Sequence, residues 1–308
     1  MKTILIPTDF SECSATAYNY AVMMAEKSNS EILLLHILDI PQPSQSTANG
    51  RETTLDTHYM MEMMKLTKFR MKKIRNGKTF KNVNVKEIIE VGSIPERILN
   101  AVKKYKADMI IMGSHGVNGI QEKFIGTNAE RIVRDVEIPV LTVKHPVKNP
   151  KIGTIVFATD FSKETELVLP AISNIADMLH SRLILTKIVT PNKFETSYAT
   201  ERQIEVFRKK SELYTYSTNV YYANSKEEGI RQAAEISGAD VIALGTHGRH
   251  GLAHFFRGSI AEDVVSHASL PVLTVNFHKK FMKSPAKIRS NNKIPKYETD
   301  LLYQIPSV

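Results

Sequence analysis

The chain has 308 residues, 42% of them hydrophobic and 24% charged, with a net charge of +9, an ordinary globular composition whose length suggests about two domains. Cys13 is the only cysteine, which excludes an internal disulfide, and no apolar run approaches the roughly 20 residues of a membrane span. Residues 279–308 hold seven Lys or Arg against Glu298 and Asp300, a net +5, so the +4 left over the first 278 residues reads as too diffuse for a groove that follows a phosphate backbone.

The start, MKTILIPTDFSE, carries Asp9 and Glu12 where a signal peptide stays apolar. The expectation is a cytoplasmic protein with neither a membrane nor a nucleic acid as partner. Short aliphatic runs then alternate with helical patterns. Strands are predicted near 3–7, 31–38, 83–91, 108–112 and 140–143, and helices near 14–28, 55–75, 95–105 and 129–136. The strands are nearly continuous hydrophobic runs, as in a parallel sheet with helices on both faces. Cys13 reads as a small packing residue rather than a redox sensor, and MMEMMK (60–65) with Met71 as an adaptable packing face. HPVKNPKIG (145–153), with two prolines, is the predicted linker.

Beyond it the chain is written a second time. TILIPTDFSE (3–12) returns as TIVFATDFSK (154–163), ADMIIMGSHG (107–116) as ADVIALGTHG (239–248), and IPVLTVK (138–144) as LPVLTVN (270–276). Asp160 follows Asp9 by 151 positions, whereas Gly245 follows Gly113 by 132, so the first copy holds about 19 extra residues in its middle. They are expected in the loop before the Met-rich helix and in that helix. The predicted domains are 1–146 and 151–277, followed by a basic tail, 278–308.

Each copy places glycines around one bend, Gly113, Gly116 and Gly126 in the first and Gly245, Gly248 and Gly258 in the second. Such a cluster between a strand and a helix marks positive φ angles or a ligand brought against bare backbone. In doubly wound sheets ligands collect beyond the carboxyl ends of the strands, where Asp9 and Asp160 close the first strand of each copy. An anion there would meet the positive end of the following helix. TNAE (127–130) and SIAE (259–262) fit a capping box, and the competing reading of Asp9 and Asp160 is a helix cap. His247, His250 and His254 have no cysteine or acidic residue to complete a metal set, and no metal site is predicted.

The pattern G-x2-G-x9-G-[ST], with PTD or ATD at the end of the first strand, resembles the universal stress protein family over nearly the whole chain to about residue 276, as a tandem pair. The resemblance implies two doubly wound α/β domains, each a five-stranded parallel sheet of order 3-2-1-4-5. It also implies ATP, or AMP or ADP, held without a Walker loop, with Mg²⁺ able to join the phosphates. Carried over by position, Pro7, Thr8, Asp9 and Ile37 fall at the adenine and ribose end, and Gly113, Gly116, Gly126 and Thr127 at the ribose and phosphates. In the second copy the same positions are Ala158, Thr159, Asp160, Ile188, Gly245, Gly248, Gly258 and Ser259. Arg249 and Arg257 replace Val117 and Ile125 beside the second pocket, so that copy is expected to hold a polyphosphate more tightly. Lys187 there replaces His36 at the base end.

No nucleophile, base and orienting acid recur in both halves. The chain therefore reads as an ATP-responsive stress or signalling module, with at most slow ATP hydrolysis, rather than an efficient enzyme. The alternative is a scaffold of the same fold that binds no nucleotide and acts through protein contacts. The resemblance also implies that the last strands join the two domains as an internal pseudo-dimer, with a homodimer or a separate protein as further partners.

Overall fold

A computed structural model describes residues 1–39, 54–114, 126–193, 195–211, 216–246 and 260–277. They fall into two compact units, the first built from Met1–Ile132 and Leu141–Pro150, the second from Val133–Val140 and the chain from Lys151 on.

In the first repeat, strands β1 (Thr3–Pro7), β2 (Glu31–Leu38), β3 (Val85–Val91), β4 (Met109–Gly113) and β5 (Val140–Val143) alternate with helices α1 (Glu12–Ser28), α2 (Thr54–Arg75), α3 (Ile94–Tyr105) and α4 (Thr127–Asp135). The strand order is β3-β2-β1-β4-β5. β1 runs parallel to both β2 and β4, and β2 parallel to β3. Its central strands are closed to water on both faces: Ile4, Leu5, Ile6, Leu34, Leu35 and Ile110 are fully buried. That burial explains why the sequence shows continuous apolar runs rather than alternation.

The helices begin and end where local chemistry dictates. Ser11 caps α1 by accepting from Ser14 N–H, and Asn29 closes it in the left-handed conformation, φ 52°. Pro95 opens the first turn of α3, where a missing N–H costs nothing. α4 starts at Thr127, with Glu130 N–H donating to Gly126 O at 3.0 Å. Gly126 is therefore the cap residue, and Glu130 lies one position too far along for the predicted capping box.

The second repeat has the same plan. Strands β6 (Thr154–Ala158), β7 (Arg182–Val189), β8 (Ser217–Tyr222), β9 (Val241–Thr246) and β10 (Val272–Asn276) alternate with α5 (Thr165–Leu179), α6 (Ser197–Ser211), α7 (Lys226–Ile236) and α8 (Ile260–His267). Their order is β8-β7-β6-β9-β10, and the β6–β7, β6–β9, β7–β8 and β9–β10 pairs are all parallel. The reversal of order beside the first strand of each repeat places β1 next to β4, and β6 next to β9. Part of the extra length of the first copy is in α2, 22 residues against 15 in α6; the loop expected to hold more lies largely outside the described residues. No helix among the described residues is long and apolar enough to cross a membrane.

One close approach sets the second repeat's packing. A Cβ at Gly229 of α7 would lie 2.5 Å from Ile188 Cγ2 and 2.8 Å from Ala223 Cβ. Alanine would otherwise favour the helix by up to about 1 kcal/mol, but overpacking of this kind costs about 1–3 kcal/mol. Gly229→Ala should therefore lower the urea midpoint of unfolding, and a raised midpoint would contradict this packing.

Candidate functional site

Both repeats build the same turn at the carboxyl end of their central strand. Phe10 and Phe161 follow Asp9 and Asp160 and have φ of 66° and 56°, a left-handed conformation that is unfavourable for a bulky side chain. Three bonds hold each turn. Phe10 N–H donates to Thr8 Oγ1 at 3.1 Å, Ser11 N–H to Asp9 Oδ1 at 3.0 Å, and Ser14 Oγ–H to the same carboxylate oxygen at 2.6 Å. In the second copy Phe161 N–H donates to Thr159 Oγ1, Ser162 N–H to Asp160 Oδ1 and Thr165 Oγ–H to Asp160 Oδ1, each at 2.9 Å. The carboxylates thus anchor the start of α1 and α5 while standing at the open end of the sheet. Partial burial pushes the Asp160 carboxyl up, but the bonds from Ser162 and Thr165 and the charge of Lys226 outweigh it, and its pKa is lowered.

The second strand of each repeat completes the end differently. In the first, His36 Nδ1 lies 2.7 Å from Thr8 O. A carbonyl only accepts, so the ring carries its proton on Nδ1. The ring stacks on Phe10 with centroids 4.4 Å apart, and the Arg70 guanidinium from α2 lies 5.7 Å over the other ring. Burial, assisted by Arg70, lowers the His36 pKa below its ordinary 6.5, against the opposing pull of Thr8 O and Asp9. Thr8 Oγ1 also shares a hydrogen bond with Tyr18, whose hydroxyl burial pushes up to about 12.

In the second repeat Lys187 stands in place of His36. Its side chain is 5% exposed, with Nζ 2.6 Å from Glu195 Oε2 and hydrogen-bonded to Gln203 Oε1. Gln203 Nε2 donates in turn to Asp160 O at 3.0 Å. Phe161 meets the edge of Phe207 rather than a histidine, at 5.1 Å. An ion pair and an amide therefore occupy the strand end where the first repeat has an aromatic stack.

Pro7, Thr8, Asp9 and Ile37 of the first copy are brought together by β1 and β2, with Gly113 at the end of the neighbouring β4. A Cβ at Gly113 would lie 2.9 Å from Cys13 Sγ, so the glycine admits the first turn of α1. Cys13 donates to Val143 O at 3.2 Å, which fits a packing role. Ser114 N–H donates to Val143 O at 2.9 Å and Gly126 N–H to Ser114 O at 2.7 Å. The Gly126 amide is thus turned into the chain, and α4 offers the first-turn amides beyond it together with the exposed Thr127.

Ala158, Thr159, Asp160, Ile188 and Gly245 take the matching places in the second copy. The Ile188 side chain is buried against α7, and the Phe277 ring covers the bare face of Gly245. Gly116, Gly248, Arg249, Gly258 and Ser259, with Arg257 and the three histidines of the second bend, lie outside the described residues. Among the described residues no three His, Cys, Asp or Glu side chains gather in a metal-binding arrangement. Sequence reasoning passed over Phe10, Ser14, Gln203 and Glu195. Phe10 could have been found from the identity of TDFS in both copies, and Ser14 from the hydroxyl at the matching position, Thr165.

The model of the universal stress protein family matches residues 1–144 and again residues 151–276. The chain belongs to this family. It is a tandem universal stress protein, similar along most of its length to the universal stress protein Slr1230 of Synechocystis, with 26% identity over 294 residues that cover 89% of this chain and 99% of the relative. Half of it is similar to the single-repeat universal stress protein MJ0577 of Methanocaldococcus jannaschii, 28% identical over 153 residues, covering 46% of this chain and 94% of that protein. The fold is that of a universal stress protein from Archaeoglobus fulgidus, with a TM-score of 0.71 and 20% identity, over 90% of this chain and 98% of the other.

His36 gives this site a pH dependence. Its folded pKa is depressed, so the unfolded chain takes up a proton that the native ring resists; the contribution to stability is complete above about pH 6.5 and is lost as pH falls below it. His36→Asn keeps an N–H for Thr8 O but does not titrate. Thermal melting between neutral and mildly acidic pH should show a smaller loss of Tm in the variant than in the parent; equal losses would exclude His36 as the titrating group.

Proposed function

We propose that this tandem universal stress protein binds an adenine nucleotide, ATP in the first instance, and works as a nucleotide-responsive module rather than an efficient enzyme. The observation that carries the reading is the duplicated strained turn at the switch point of each sheet. Left-handed phenylalanines held by three side-chain-assisted bonds are costly, and such conformations cluster at ligand sites. The turn fixes a carboxylate beside the end of β4, where a ribose and its phosphates would pass towards α4.

The groups present suit such a ligand. Asp9 accepts from ribose hydroxyls or an amino group, the end of β2 at Ile37 flanks the base, and the first-turn amides of α4 with the Thr127 hydroxyl face the phosphates. If Mg²⁺ accompanies the nucleotide, the phosphates supply most of its ligands. The chain's own part is to bind and orient.

The expectation that the second copy holds a polyphosphate more tightly rests on its arginines. Arg249 and Arg257 lie outside the described residues, whereas at the base end of the second copy the buried Lys187 pairs with the partly exposed Glu195. That occupied base end favours the first copy as the one that fills at lower ATP.

Thr127→Asp separates this function from folding. A carboxylate at the start of α4 suits the helix dipole but repels a phosphate. Equilibrium dialysis of the full chain with labelled ATP should show at least about a tenfold loss of affinity, equivalent to ~1.4 kcal/mol, with no fall in Tm. A parent chain that retains no ATP would instead support the scaffold reading.

A further inference from the structure

The charge left in the first 278 residues is not spread out. Helix α2, the short 3₁₀ turn after it, Lys78–Phe80, and the Lys81 that closes that turn carry Lys65, Lys68, Arg70, Lys72, Lys73, Arg75, Lys78 and Lys81 against Asp56 and Glu62. All eight cations are exposed. Helical spacing sorts the residues of α2 into three lines. Met64, Thr67, Met71 and Ile74 turn inward, with Thr67 and Met71 buried. Lys65, Lys68, Lys72 and Arg75 form a second line at steps of three and four. The third, on the outermost side, holds Tyr59, Glu62, Leu66, Phe69 and Lys73, and its large apolar members are 62%, 52% and 69% exposed.

The equivalent helix of the second repeat serves as an internal control. α6 has two acids, Glu201 and Glu205, against Arg202, Arg208, Lys209 and Lys210, and Glu205 pairs with Lys209. The second repeat's helix is thus less basic, although it too exposes Tyr198 and Val206, and the cations gather most densely on α2 and the turn after it. That basic face is also poorly neutralised. Arg70 lies over Phe10, Lys65 pairs with Glu62 and Arg75 with Glu87, while Lys68, Lys72, Lys73, Lys78 and Lys81 have no acidic partner among the described residues.

We propose that this face of α2 and the following turn docks on an anionic lipid surface, with the lysines at the headgroups and Leu66 and Phe69 entering the interface. Two features select lipid over nucleic acid. The outermost line presents three large exposed apolar side chains, Tyr59, Leu66 and Phe69, among Glu62 and Lys73, where a helix lying against phosphates and base edges would be polar throughout. The cations left unpaired are all lysines, point charges suited to headgroups, whereas both arginines, the side chains suited to bidentate contacts on bases and phosphates, are engaged within the chain. Such a contact is peripheral and needs no spanning helix. It is independent of the nucleotide reading.

Flotation of the full chain with vesicles tests it. Binding should occur with phosphatidylcholine–phosphatidylglycerol vesicles, weaken as ionic strength rises, and fail with phosphatidylcholine alone. Lys68→Gln and Lys72→Gln should each weaken binding about fivefold, and the pair Leu66→Ser with Phe69→Ser should weaken it at unchanged charge. Lys209→Gln in α6 should have no effect. All four α2 positions are exposed, so an unchanged Tm is expected for each variant. Vesicle binding that survives all four changes would overturn the proposal. So would tighter binding to an oligonucleotide that only the lysine changes weaken, or self-association without vesicles that the Leu66 and Phe69 changes abolish.

Discussion

The carboxylate-anchored turn is the constraint on which each repeat depends. A phenylalanine in the left-handed region costs about 1–2 kcal/mol, and the chain accepts it twice, at Phe10 and Phe161. What holds it is a short set of bonds between residues two to five positions apart: a threonine hydroxyl bonded two residues on, and an aspartate oxygen shared by a backbone amide and a hydroxyl on the first turn of the helix. Because one oxygen ties both the turn and the helix start, the direction in which the chain leaves the central strand is fixed with it. The end of β1, the first turn of α1 and the end of β4 then have one arrangement, which Gly113 permits by leaving room for Cys13.

Much of this was legible in the sequence because burial on both faces leaves a clear signature. β1, β2 and β5 span the residues that their apolar runs predict, and the helices differ from prediction by a residue or two at their starts. α4 began one position earlier than the capping-box reading of Thr127 required, since Gly126 could supply the cap carbonyl without a side chain. The glycines were the harder case. Gly113 and Gly245 sit at a bend, but neither has a positive φ; each is small because another side chain, Cys13 or Phe277, presses against it. A sequence does not distinguish a glycine that turns the chain from one that makes room.

The left-handed phenylalanines were hidden for the opposite reason. Nothing in a single phenylalanine signals that conformation, and only the exact repetition of TDFS hinted that its neighbours hold it. The distribution of charge was readable but was lost in averaging: eight cations in α2 and its turn disappear into a modest sum once acids elsewhere are counted. Helical periodicity, which gathers residues three and four apart onto one side, turns that local excess into a surface.

The exchange of His36 for a buried Lys187 has a consequence for how such a protein can change. When two identical chains associate, every substitution appears in both partners, and a novelty that helps one location must be tolerated by its twin. Here the duplicates are fused, always present in equal amounts and free to mutate separately. One can keep an inherited task while the other is remodelled, so a lysine that would compromise a symmetric pair becomes a route to division of labour within a single molecule.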